Sequence, residues 1–165
     1  MPHPPAATDP PADAARRTTL VWITESTWPA CVDVARDRVP HDAVVLLHVS
    51  DDEVAEAAHR AYAGLLGRGH RPDRDPGARL EALSGTAAAD LLEAAAHRLG
   101  RPCELLEHHG RVEHEVVRAA AGADLLVCAR DGERDHPGPH SLGHATRFVV
   151  DHATCPVLLV WPYGA

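Results

Sequence analysis

Thirteen histidines, four cysteines and sixteen basic residues that are all Arg set the chemistry open to this chain of 165 residues. Histidines gather as His108-His109 with His114, and again as His136, His140 and His144; imidazoles four apart on one helix face can share a metal ion. Pro137 and Pro139 stand between the first two of that series, and no carboxylate completes a zinc-binding pattern. Solvated surface imidazoles are therefore the preferred reading, with no metal site assigned. Cys31, Cys103, Cys128 and Cys155 have no C-x-x-C spacing, which points to buried free thiols rather than a redox pair or a zinc ribbon. The sequence contains no Lys, Asn or Gln. That removes a phosphate-loop lysine, Schiff-base chemistry and a Cys-His-Asn protease together, and spacing alone supports no Ser-His-Asp arrangement. No catalytic residue is assigned.

The length and a hydrophobic content of 45% fit one domain with one core. A formal charge of −8 argues against nucleic acid or an anionic membrane as partner, because either requires a basic face to displace counterions. No stretch approaches the ~18 apolar residues of a membrane span, and the start Met1-Pro2-His3-Pro4-Pro5 lacks the pattern of a signal peptide, so a cytoplasmic protein is expected.

The elements that must position any site alternate in type. Residues 1–17, with five prolines, read as a disordered tail, and residues 18–165 as the folded domain. Leu20-Val21-Trp22-Ile23 is a short apolar strand, and Trp28-Pro29 opens a helix in whose first turn proline is tolerated. The run from Ala43 to Val49 is apolar on both faces, as a buried parallel strand requires. Asp51-Asp52 starts a helical stretch to about Leu66, and a loop from Gly67 to Gly77 follows. A longer helix from about Ala78 stops at Gly100 and Pro102, ahead of an edge-type strand over 103–107. A short helix after Gly110, a strand over 124–129, a loop over 130–142, a last helix carrying Ala145, Phe148, Val149 and His152, and a strand over 156–161 complete the order. Strands alternating with helices predict right-handed crossovers and a parallel sheet with ligands beyond its C-terminal strand ends.

Three stretches resemble universal stress proteins, and the likeness runs from about Thr18 to Trp161. His152-Ala153-Thr154-Cys155-Pro156 with its flanking helix and strand is the most specific, and Leu46-Leu47-His48-Val49 and Gly122-Ala123-Asp124-Leu125-Leu126-Val127 support it. The resemblance implies a single doubly wound α/β domain, Rossmann-like and similar to adenine-nucleotide alpha hydrolases. Its five-stranded parallel sheet would have the order 3-2-1-4-5. It also implies homodimers and a regulatory stress role. His48 and His152 coincide with family histidines and are expected to make structural hydrogen bonds.

Family members that hold ATP carry Gly-x2-Gly-x9-Gly-Ser/Thr after the fourth strand and an Asp at the end of the first. Glycines there admit backbone N–H groups to phosphate oxygens, and a helix N-terminus adds positive dipole. Here the stretch reads Ala129-Arg130-Asp131-Gly132, then ten residues, then Gly143-His144-Ala145-Thr146. The first glycine and the hydroxyl are replaced, Thr24 stands for the Asp, Glu25 for a common Gly, and Asp131, Glu133 and Asp135 add anionic charge opposed by Arg130 and Arg134. The candidate nucleotide-binding residues are Thr24, Val49, Ala129, Gly132, Gly143, His144 and Ala145. The expectation is a regulatory protein with a degenerate site that binds ATP weakly or not at all. An ATP-binding protein with slow ATPase activity is the alternative, and a metal-binding protein ranks below both. Val157, Leu158, Leu159, Val160 and Trp161, strongly apolar at an expected sheet edge, are the predicted dimer surface. Cys128 and Cys155, at opposite ends of neighbouring strands, are expected to stay unpaired.

Overall fold

Leu20, Val21 and Trp22 are buried on both faces of their strand because strands flank it and helices cover each side of the sheet. The computed structural model describes residues 16–51, 76–131 and 142–162, the side chains of 76–82 excepted. The elements are β1 (Thr18–Trp22), α1 (Trp28–Arg38), β2 (Ala43–Ser50), α2 (Pro76–Leu99), β3 (Glu104–His109), α3 (Val112–Ala120), β4 (Leu125–Ala129), α4 (His144–His152) and β5 (Val157–Val160). All strand pairs are parallel, and the sheet order is β3-β2-β1-β4-β5. The expected helix from Asp51-Asp52 to Leu66, most of the loop after it, and residues 1–15 of the expected tail lie outside the described residues.

Small side chains let α1 approach one face closely. Ala30, Cys31, Val32 and Ala35 pack with Leu92, Ala95 and Leu99 of α2 against Val21, Leu46 and Val127. Val116 and Ala120 of α3 and Val149 of α4 cover the other face over Leu20, Trp22, Leu47, Leu126 and Cys128. The alternate sides of each central strand therefore feed two separate cores, which explains why these strands show no polar alternation. A bidentate pair from Arg98 to the buried Asp33, at 2.8 and 2.7 Å, ties α2 to α1. Gly100 closes α2 at φ 70, the left-handed conformation glycine adopts without a Cβ penalty.

The third strand begins one residue later and ends two residues later than its hydropathy suggests. Its two histidines join the ladder because β2 continues to Ser50, where Val49 pairs with His108 and Ser50 with His109. Backbone pairing to a long neighbour outweighs side-chain polarity at an edge. On the opposite edge Leu159 is the register partner of Cys128, while Cys155 precedes β5; all four cysteines are free.

Candidate ligand-binding cleft

β1 ends at the middle of the sheet, with β2 on one side and β4 on the other, so its C-terminal end is where the strand order reverses. Two depressions meet there and share Trp22 and Thr24. The larger, about 420 Å³, lies over β1 and β2 and is lined by His48, Val49, Ser50 and the α2 residues Ser84, Ala88 and Leu91. The smaller, about 270 Å³, lies between β1, β4 and the start of α4 and is lined by Ser26, Thr27, Ala129, Asp131, Gly143, His144, Ala145 and Thr146. Jointly they reach the roughly 300–1,000 Å³ of small-ligand sites.

The larger half is held rigid from below. His48 is 7% exposed, and its Nδ1–H donates to the Ile23 carbonyl at 3.0 Å, clamping the end of β2 to the residue after β1. Next to it the Ile23 N–H donates to Leu47 O at 2.8 Å. Val49, 6% exposed, supplies an apolar floor.

The smaller half is made of different groups. The Thr24 and Thr27 hydroxyls share one hydrogen bond of 2.6 Å, so Thr24 is already engaged where a carboxylate would face a ligand. Thr146 is only 4% exposed yet borders the cleft. Asp131 crosses from the end of β4 to the first turn of α4, where its Oδ2 accepts the Gly143 N–H at 2.6 Å. Gly143 has φ −63 and ψ 171, ordinary extended backbone; the constraint is space, since a Cβ there would stand 2.8 Å from Asp131 Oδ2. Ala129 likewise sits in regular β-strand opposite Val160, so its methyl takes room in the cleft without straining the chain.

Thr24, Ala129, Gly143, His144 and Ala145 thus come together in the smaller half and Val49 lines the larger; Gly132 lies outside the described residues. Sequence reading did not assign Trp22, Ser26, Thr27, Thr146 or Asp131 to a ligand. The charge of Asp131 was visible, but its bond to a backbone N–H twelve residues away was not. Arg130 lies with its guanidinium 4.9 Å from the Trp161 ring centroid, at the outer edge of the sheet.

The histidine-rich surface serves packing and pairing. His108 Nδ1 is 3.1 Å from Glu115, while His114 tilts against Phe148 at 5.0 Å between ring centroids. His152 stacks on the same ring at 4.0 Å and donates Nδ1–H to Phe148 O at 2.8 Å, capping the end of α4. Among the described residues no three His, Cys, Asp or Glu side chains form a metal-binding group; His136 and His140 lie outside them. Burial, joined at Cys128 by the nearby Asp131 charge, pushes the Cys31 and Cys128 thiols up to about 12.

A doubly wound parallel sheet with its cleft at the strand-order reversal is the architecture of nucleotide-binding α/β proteins. The model of the universal stress protein family matches residues 30–160, and the chain belongs to that family. No curated protein sequence matches. Among solved structures, a hypothetical protein whose biochemical function was assigned from its structure is similar at TM-score 0.63 and 19% identity, covering 90% of this chain and 98% of its own. Universal stress protein UspA from Lactobacillus plantarum is similar at TM-score 0.57 and 24% identity, covering 88% and 99%. A universal stress protein in complex with cAMP is similar at TM-score 0.56 and 15% identity, covering 91% and 100%. At these identities the likeness establishes the fold. No helix among the described residues is long and apolar enough to cross a membrane.

Proposed function

We propose that the chain is a cytoplasmic, regulatory stress-response protein whose cleft takes adenine nucleotides and holds ATP weakly, acting through binding rather than catalysis. The observation that carries this reading is the two-part cleft, about 420 and 270 Å³, built around Trp22 and Thr24 where the strand order reverses. The similar structures with cAMP and, from Archaeoglobus fulgidus, with dAMP support the ligand class. Weak ATP affinity follows from two replaced groups: Thr24, hydrogen-bonded to Thr27, stands where a carboxylate would face the ligand, and an exposed His144 begins α4 where a hydroxyl would serve a phosphate. A lost charge-assisted hydrogen bond costs ~1.5–3 kcal/mol, so two such losses lower affinity by about two decades or more. His48, already donating to Ile23, fits a structural role better than that of a general base.

Calorimetric titration of ATP tests the reading. Wild type is expected to bind above the low-micromolar range, and a variant carrying Ala129→Gly, His144→Ser and Thr24→Asp to gain about two decades. Low-micromolar binding by wild type overturns it in favour of an ATP-holding protein, and ATP, AMP or metal retained on native purification names the occupant directly.

The same reading includes a homodimer through β5. Val157, Leu158 and Leu159 are only partly buried on an edge strand, with Trp161 beside them, and an open apolar edge is satisfied by antiparallel pairing with a second copy. Sedimentation at micromolar concentration is expected to give a dimer; a monomer removes this part of the proposal.

A further inference from the structure

The smaller half of the cleft contains its own anion. Asp131 places a carboxylate oxygen 2.6 Å from the Gly143 N–H at the head of the nine-residue helix α4, the place where a bound phosphate gains backbone donors and dipole. The fit is close, because even a methyl on Gly143 would collide with that oxygen at 2.8 Å. A phosphate entering here must displace a negative group and then lie beside it. Besides the His144 imidazole, the rest of the lining carries no charged side chain: Thr24, Ser26, Thr27 and Thr146 contribute hydroxyls, and no Arg borders this half among the described residues. Thr146, itself 4% exposed, is part of this lining and adds a hydroxyl-bearing side chain to it.

We propose that Asp131 is the specificity-determining residue of the cleft, occupying the phosphate position so that an adenine nucleoside is taken in preference to its phosphorylated forms. This rests on the adenine-binding reading above and adds to it a preference for the uncharged, hydroxyl-bearing nucleoside. The larger half takes the base over Val49, and the hydroxyls around Thr24 and Thr146 meet the sugar. A carboxylate also accepts hydrogen bonds from sugar hydroxyls, so the group that opposes a phosphate supports a ribose.

The test is calorimetric titration of adenosine, AMP and ATP into the full chain, as wild type, Asp131→Asn and Asp131→Ala. Wild type is expected to bind adenosine at least tenfold more tightly than ATP, with AMP between them. Both variants are expected to reduce that ratio at least tenfold, Asp131→Ala more because it also frees the Gly143 N–H. If wild type binds ATP as well as adenosine, or if neither variant moves the ratio while adenosine binds, the role of Asp131 is overturned and the adenine reading stands. If no form binds adenosine, AMP or ATP, the adenine reading falls and the inference with it. Should a variant not fold, as read by its unfolding transition, the wild-type ratio alone decides.

Discussion

The interior of the sheet and the rim at its C-terminal end are built from opposite materials. Inside, Val21, Leu46, Leu47, Leu126 and Val127 are fully buried, two thiols are held protonated, and the buried imidazole of His48 is hydrogen-bonded to backbone. At the rim, between β1 and β4, hydroxyls and a carboxylate face an open cleft. The interior holds the family-like Leu46-Leu47-His48-Val49 and Leu126-Val127, and the departures concentrate at the rim. Changing an interior residue alters packing that many neighbours share, whereas a rim residue can change its ligand chemistry at small cost to the fold.

The largest effect expected on the interior comes from alkaline pH. Unfolded cysteines ionise near ~8.5, whereas Cys31 and Cys128 in the folded protein are pushed up to about 12. The folded state therefore keeps protons that the unfolded state releases. Stability from this source is intact below about pH 8.5 and falls as pH rises toward about 12, by up to ~1.4 kcal/mol per unit for each thiol. Urea unfolding at pH 7.5 and 10 reads the loss, and Cys31→Ala with Cys128→Ala should flatten it. An unchanged slope in that pair would mean that the thiols are not held in a dry interior.

His48→Ala attacks the border between the two regions. It removes a buried side chain and leaves the Ile23 carbonyl without the imidazole, so a loss of about 2–3 kcal/mol is expected. Thr24→Ala, one residue beyond on the rim, should cost less than about 1 kcal/mol. Equal losses in the two variants, measured by chemical denaturation, would erase the contrast.

A small stability effect is also expected at Gly143→Ala. Its backbone suits alanine, so the cost is displacement of Asp131 from the first turn of α4, about 1 kcal/mol as for a lost helix cap. Thermal unfolding should drop by a few degrees. A gain in stability would show that the carboxylate does not hold the helix end.

Much of this architecture was legible because its signals are local. The two-faced apolar runs at 20–23 and 43–49 demand burial on both sides, and proline at 29 and glycine at 100 mark where helices start and stop. The strand order came from likeness to a family, since no periodicity in one strand says which other strand lies beside it. The far end of β3 escaped local reading, because His108 and His109 are extended only through their pairing with β2.

The sequence by itself determined the alternation of elements, the buried strands and the departures from the family's phosphate-loop pattern, for each depends on residue type and near neighbours. Only the tertiary structure decided how the residues at those positions meet. Thr24 turns to Thr27, Thr146 enters the cleft wall, and Asp131 reaches Gly143. The physical reason is that the register of β4 against β1 and β5 fixes where the chain leaves the sheet, and the start of α4 fixes where it returns. The distance between a carboxylate and a backbone N–H is set by those two placements, and no spacing in the chain records it.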